Sequence, residues 1–256
     1  MDPPLPPLVD THAHLASPEF DADREAVLSR AAAAGVGAVI SVGETLADAE
    51  KTLALARVSP LVRPAAGLYP THLDFAQAEA LCAFIRKHRP LLRAVGEVGL
   101  DHWKVRDEGG RARQREIFTA FIRLAIELDL PLNVHSRSAG REAIACLLAC
   151  GARRVQLHAF DGRAQSALAA VEAGYFFSIP PSAARSPQKQ KLIRRLPLAC
   201  LLLETDSPVL GPDPGARNEP ANLRHALRAV AQAKGVPEEE AARAIAANTA
   251  RLYGPG

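Results

Sequence analysis

Short apolar runs alternate along this chain with longer stretches in which apolar residues recur every three or four positions. The short runs are Leu8–His14, Ala38–Gly43, Val62–Leu68, Leu92–Leu100, Pro131–Ser136, Arg154–Ala159, Tyr175–Pro180 and Ala199–Thr205. They are nearly continuous rather than alternating, the pattern of strands covered on both faces. The longer stretches read as amphipathic helices. The clearest, Arg111–Asp129, sets Ile117, Phe118, Phe121, Ile122, Leu124, Ala125 and Leu128 on one stripe. Helix starts are also signalled. Ser186 and Pro187 suit a cap and a first helical residue, Asn218 and Pro220 mark another start, and Pro237 precedes Glu238, Glu239 and Glu240, acids that the helix dipole favours.

Eight strands, each followed by a helix, within 256 residues predict an α/β fold, a TIM (β/α)8 barrel. A doubly wound sheet would more often stop at about five to seven strands. No composition shift marks a linker, so residues 1–256 read as one domain.

The chain is 48% hydrophobic and 23% charged, which excludes a disordered chain. Its 31 Lys+Arg against 28 Asp+Glu leave a net charge of only +3, so a nucleic acid would have to be gripped locally rather than by bulk charge. The longest apolar runs fall far short of the roughly 20 residues of a membrane span. The start, Met1-Asp2-Pro3-Pro4-Leu5-Pro6-Pro7, lacks the basic and apolar regions of a signal peptide. Cys82, Cys146, Cys150 and Cys200 form no C-x-x-C and lie in apolar stretches, as buried reduced thiols do. These features predict an intracellular chain, cytoplasmic or nuclear, with no membrane association. Nothing in them calls for an obligate protein partner.

In such a barrel the chemistry lies at the C-terminal ends of the strands. The first strand ends in Asp10-Thr11-His12-Ala13-His14, and the period of two puts His12 and His14 on one side. The fourth carries Gly96-Glu97-Val98-Gly99-Leu100-Asp101, the fifth Asn133-Val134-His135-Ser136-Arg137, the sixth Leu157-His158-Ala159-Phe160 and the eighth Glu204-Thr205-Asp206-Ser207-Pro208. Singly, His158 could be a satisfied core histidine and Glu97 a buried ion-pair partner. Five strand ends carrying such groups point instead to metal ligands, because Asp, Glu and His are costly to bury without partners. Four imidazoles and two carboxylates exceed the needs of one tetrahedral ion, so two divalent ions are expected. Glu97 would bridge them, His12, His14 and Asp206 would complete one site, and His135 and His158 the other. The imidazoles favour zinc as the bound species, with manganese or magnesium also able to serve activity.

These five segments, the sixth strand's continuing through Phe160-Asp161-Gly162, together with Arg217-Asn218-Glu219-Pro220, resemble the signature motifs of the TatD family of metal-dependent deoxyribonucleases, amidohydrolase-like TIM barrels. The resemblance runs from Leu8 to about Tyr253. The runs from Asn133 to Gly140 and from Gly174 to Gln190 resemble most closely the third animal paralogue group of that family. It implies a two-metal hydrolase of DNA phosphodiesters, acting as a 3′-exonuclease, an apurinic-site endonuclease or both. Asp206 and Glu97 would then be catalytic, with Asp206 taking the proton of the attacking water. Single-stranded or damaged DNA would be the substrate. The alternative on the same cage is an amidohydrolase or esterase, such as a lactonase or D-aminoacyl-tRNA deacylase. Against cyclic-amide enzymes, Glu97 stands where those carry a carboxylatable lysine. A non-enzymatic scaffold conflicts with six intact ligand positions.

Around the substrate, Arg137 suits a phosphate oxygen. Arg217 either reaches a phosphate or ties down its loop. Asp101, grouped with them, either orients a ligating histidine or caps its loop. Two departures from the family pattern stand out. Tyr69 occupies the usual histidine position in Gly67-Leu68-Tyr69-Pro70, with His72 three residues beyond, and His102-Trp103 follows Asp101 where relatives often have Tyr or Phe. Trp103 either stacks a base or packs on the rim. Lys189, Lys191, Arg194 and Arg195 read as a solvated helix face.

Overall fold

The computed structural model describes residues 5–254. Met1–Pro4, part of the segment compared above with a signal peptide, and Pro255 and Gly256 lie outside them. Eight parallel strands, β1 (Leu8–Ala13), β2 (Val36–Ser41), β3 (Val62–Ala66), β4 (Ala94–Gly99), β5 (Leu132–His135), β6 (Val155–Leu157), β7 (Phe176–Ile179) and β8 (Leu201–Leu203), hydrogen-bond in chain order. One helix follows each of the first seven: α1 (Arg24–Ala33), α2 (Leu46–Val58), α3 (Phe75–His88), α4 (Glu108–Glu127), α5 (Gly140–Ala149), α6 (Ala164–Glu172) and α7 (Pro187–Arg195). Two follow β8, α8 (Leu223–Lys234) and α9 (Glu238–Tyr253). This is the TIM barrel that the pattern predicts. No helix among the described residues is long and apolar enough to cross a membrane.

Local chemistry sets the boundaries. α4 begins before Arg111 because the Asp107 carboxylate accepts from Gly110 N at 2.7 Å. α7 begins as expected, with Ser186 Oγ accepting from Lys189 N. Asn218 caps no helix. Its buried amide donates to the carbonyls of Thr205 and Val209 at 2.8 and 2.7 Å, pinning the loop after β8, and α8 starts only at Leu223. The cysteines are free; Cys200 is buried, whereas Cys82, Cys146 and Cys150 are only half-buried.

The seam between β8 and β1 is closed at the level of the site rather than along the strands. Thr11 Oγ1 donates to Leu203 O at 2.8 Å, Asp206 N to His12 O at 2.8 Å and His14 N to Ser207 O at 2.8 Å. Asp10 completes it. Fully buried, it accepts from Thr205 N at 2.8 Å and His12 N at 3.3 Å, while the Thr205 hydroxyl lies 2.5 Å from its other oxygen. Burial outweighs these bonds and raises the Asp10 pKa to about 7.

A carboxyl with a raised native pKa contributes fully below its ordinary value and loses that contribution as pH rises through the native one. Asp10→Asn mimics the protonated acid, with an amide N–H to donate to Thr205 Oγ1 and a carbonyl to accept the backbone bonds. The unfolding free energy of Asp10→Asn, measured in chelator, is therefore expected near that of the wild type at pH 4 and above it at pH 8, by a margin on the order of a few kcal/mol. A margin that stays constant with pH would show that Asp10 does not titrate there.

Candidate metal centre

Glu97 sits at the centre of the barrel mouth, 1% exposed. Its strand runs too close to β5 for side chains at two positions. A Cβ on Gly96 would lie 2.7 Å from Asn133 O, and one on Gly99, whose φ is +150°, would lie 2.0 Å from His135 O. The glycines on either side of Glu97 thus let β4 seat the carboxylate against the imidazoles of β5.

Two groups form around its two oxygens. Glu97 Oε2 faces His12 Nε2 at 3.6 Å and His14 Nε2 at 3.4 Å. Asp206 Oδ1 lies 3.4 and 3.3 Å from the same nitrogens, which are 3.2 Å apart. Glu97 Oε1 faces His135 Nδ1 at 2.7 Å and His158 Nε2 at 2.9 Å, nitrogens 3.3 Å apart. His12 and His158 stack between the groups with ring centroids 3.8 Å apart. The six expected ligands are thereby brought together, although His14, His158 and Asp206 lie just beyond the ends of β1, β6 and β8. Asp206 and Ala159 hold φ values of +52° and +42°, conformations uncommon for these residues that turn the chain sharply at the mouth.

The donor set fits divalent metal. Zinc–nitrogen and zinc–oxygen bonds of about 2.0–2.1 Å in a tetrahedron put neighbouring donors about 3.3–3.4 Å apart, close to the separations of 3.2 to 3.6 Å in the group around Glu97 Oε2. That oxygen is buried yet accepts no hydrogen bond, and an orphaned carboxylate oxygen is expensive unless a cation meets it. His12, His14 and Glu97, and separately Glu97, His135 and His158, each present donors close enough for one ion; His12, His158 and Glu204 form a third such group. Without metal the same crowding shifts protons. Burial opposes charge on His12, but Glu97 and Asp206 lift its pKa well above the ordinary value. Burial likewise opposes charge on His135, which Asp101 and Glu97 raise to about 9. Burial works against ionised Glu97 and Asp206 as well, and the surrounding imidazoles hold both below the usual carboxylate range.

Behind the ligands lies a layer of buried polar side chains, of which sequence reasoning singled out only Asp101. Asn133 Nδ2 donates to Thr11 O at 2.8 Å and to the Tyr253 hydroxyl at 3.3 Å, so its Oδ1, 2.8 Å from His12 Nδ1, accepts from that nitrogen. His12 is left with Nε2 free for a metal. Asp101 Oδ2 accepts from His135 Nε2 at 3.1 Å, and its Oδ1 from Trp103 N and Lys104 N. Asp101 therefore serves both roles the sequence left open, and it is not a phosphate contact, being fully buried. Gln156 joins Tyr253 to Ser178, and Ser178 donates to Glu204 at 2.5 Å, whose other oxygen accepts from Ala159 N. The only signal for Asn133, Gln156, Ser178 and Glu204 was their polarity within or just past otherwise apolar runs.

The centre opens into a cavity of about 860 Å³. Arg137 lines it, its guanidinium stacked on Trp103 at 3.9 Å. Trp103 is 45% exposed, so the ring is neither core nor a bare platform. Tyr69 lines the cavity with its ring edge-on to His135 at 5.0 Å, whereas His72 packs beneath the mouth beside Gln114 and Phe118. Arg217 is a correction. It bonds Asp23 at 2.8 and 2.6 Å and sits over Phe20, spent on tying its loop to the segment before α1 instead of lining the cavity. Lys189 is a second correction. While Lys191, Arg194 and Arg195 are exposed as expected, Lys189 lines the cavity and donates to Ala159 O at 3.1 Å.

Comparison with known proteins agrees with this geometry. Residues 9–254 match the family model of TatD related DNases. The human deoxyribonuclease TATDN3 is 42% identical across 96% of this chain and 94% of its own length, and the metal-dependent hydrolase TatD of Mycobacterium tuberculosis 36% identical across 97% and 98%. The crystal structure of YjjV, a TatD homologue from Escherichia coli, superposes with a TM-score of 0.91 at 31% identity, covering 98% of this chain and 99% of that one. An amidohydrolase from Saccharomyces cerevisiae shares the fold with a TM-score of 0.81 at 18% identity, covering 98% of this chain and 100% of its own. With the barrel, the clustered donors and a match over nearly every residue, this chain belongs to the TatD family of DNases.

Proposed function

We propose that this chain is a two-metal deoxyribonuclease that hydrolyses DNA phosphodiester bonds, by removing nucleotides from a 3′ end, by cleaving beside an apurinic site, or both. The observation that carries the reading is Glu97, a buried carboxylate whose two oxygens face two separate sets of imidazoles, one of those oxygens lacking any hydrogen bond. His12, His14 and Asp206 would hold one ion, His135 and His158 the other, with Glu97 shared. Zinc suits the four imidazoles, and manganese or magnesium can replace it. When bound, such ions polarise the phosphoryl group and make hydroxide accessible near neutral pH.

The protein's own groups supply the rest. Asp206 is kept ionised by His12 and His14 and faces the cavity, so it accepts the proton of the attacking water. Arg137, steadied against Trp103, meets the phosphate as negative charge builds on it. Asn133 and Asp101 hold His12 and His135 in the tautomers that present Nε2 and Nδ1 inward.

Purified protein should cleave end-labelled single-stranded, duplex or apurinic DNA with Mg²⁺, Mn²⁺ or Zn²⁺ and lose activity in chelator; cleavage that persists in chelator rules out the reading. Asp206→Asn should lower DNA hydrolysis at saturating metal at least about a hundredfold, the usual weight of a proton-transfer role. Its melting temperature in chelator should change little. Near-normal hydrolysis would place the proton acceptor elsewhere. Asn133→Leu removes the acceptor from His12 alone. Titration against a chromophoric chelator should show one metal weakened about 10–100-fold and the other unchanged, whereas equal loss at both sites would refute a specific role.

A further inference from the structure

Seven of the eight sectors of the barrel mouth are accounted for by ligands, by Tyr69 or by the acidic rim, but β7 contributes no metal-ligating side chain. Its place is taken from the helix that follows. Lys189 lies in the first turn of α7, where the helix dipole disfavours a cation, and no acidic residue sits in that turn to offset it. Among the described residues no carboxylate comes within 4.0 Å of its ammonium; the partner is the carbonyl of Ala159, the residue after His158. A lysine that contradicts the local electrostatic preference, with no ion pair to repay it, is the kind of exception that functional sites carry.

The cavity walls are also unevenly charged. Glu19, Glu44 and Asp48 line the side above β1 and β2, while the two cations of the lining, Arg137 and Lys189, stand on the side of β5 and β7. Asp161 is the acid on the cationic side, and its carboxylate already accepts twice from Ser138 N, at 3.2 and 3.0 Å. A polyanion therefore meets repulsion on one wall and two cations on the other.

We propose that Lys189 is a substrate-contacting residue that docks a backbone phosphate of the nucleic acid and, with Arg137, steers the strand over the β5–β7 side of the mouth. This rests on the phosphodiesterase reading above. The contact requires only that Nζ turn from the Ala159 carbonyl, a neutral acceptor, to a charged phosphate oxygen, a stronger one. It makes no bond to the reacting atoms, so it governs docking rather than turnover.

The test uses metal-loaded enzyme and a fluorescent single-stranded oligonucleotide, with kcat and KM measured across a salt series and binding measured by anisotropy with Ca²⁺ as the added metal. Lys189→Met should raise KM and Kd about tenfold, leave kcat within about threefold, and flatten the dependence of log Kd on log salt by about 0.7, the share of one single-strand phosphate contact. Lys189→Arg should restore the slope, and Lys191→Met, on the exposed face, should match the wild type. Metal content should be the same in all four proteins. Unchanged KM and slope in Lys189→Met, a fall confined to kcat, or loss of metal would each overturn the proposal while leaving the nuclease reading intact. A wild type that neither binds nor cleaves the oligonucleotide would overturn both.

Discussion

A carboxylate cannot sit at the dry centre of a barrel unless something positive is brought to it, and Glu97 imposes that condition on the whole mouth. Four imidazoles converge on its two oxygens. Their convergence in turn requires that each present a particular nitrogen, and so the layer behind them must be polar, in a region where TIM barrels usually pack branched apolar side chains. Asn133, Asp101, Gln156, Ser178 and Glu204 form that layer. Their bonds run from the carboxy-terminal helix, through Tyr253, to β6, β7 and β8. Removing one member leaves its partner buried and unpaired, so each loss costs more than the bond removed.

The same condition explains why the barrel closes where it does. The β8–β1 seam is bonded at Thr11, His12, His14, Asp206 and Ser207, so the residues that shut the cylinder neighbour or coincide with those that would hold metal. Fold and site share one set of hydrogen bonds, and Asp10 stands between them as a buried group whose protonation is finely set.

Much of this was legible in the sequence because strands advertise themselves twice, as apolar runs and as the places where a polar residue is conspicuous. His12, His14, Glu97, His135, His158 and Asp206 all interrupt or terminate such runs. Helix-borne and loop-borne groups give no comparable contrast. Lys189 belongs to a polar helix in which Lys191, Arg194 and Arg195 do face solvent, and only the position of the first turn above the mouth sets it apart. Arg217 reads like a phosphate ligand, but whether a long cation meets substrate or an acid such as Asp23 depends on where two distant loops cross. Asn133 was overlooked for the opposite reason. It lies in a recognised strand one turn of the pleat before His135, but its amide points beneath the site to another strand's histidine.

The chain contains a single tryptophan, and that indole lies against the guanidinium that faces the cavity. A phosphate that draws Arg137 toward itself lifts a charge off the ring; one that leaves it in place brings a second charge nearby. Either event changes the electric field at the only indole of the molecule. The protein thus carries its own optical gauge of an occupied mouth, readable from intrinsic emission without a label.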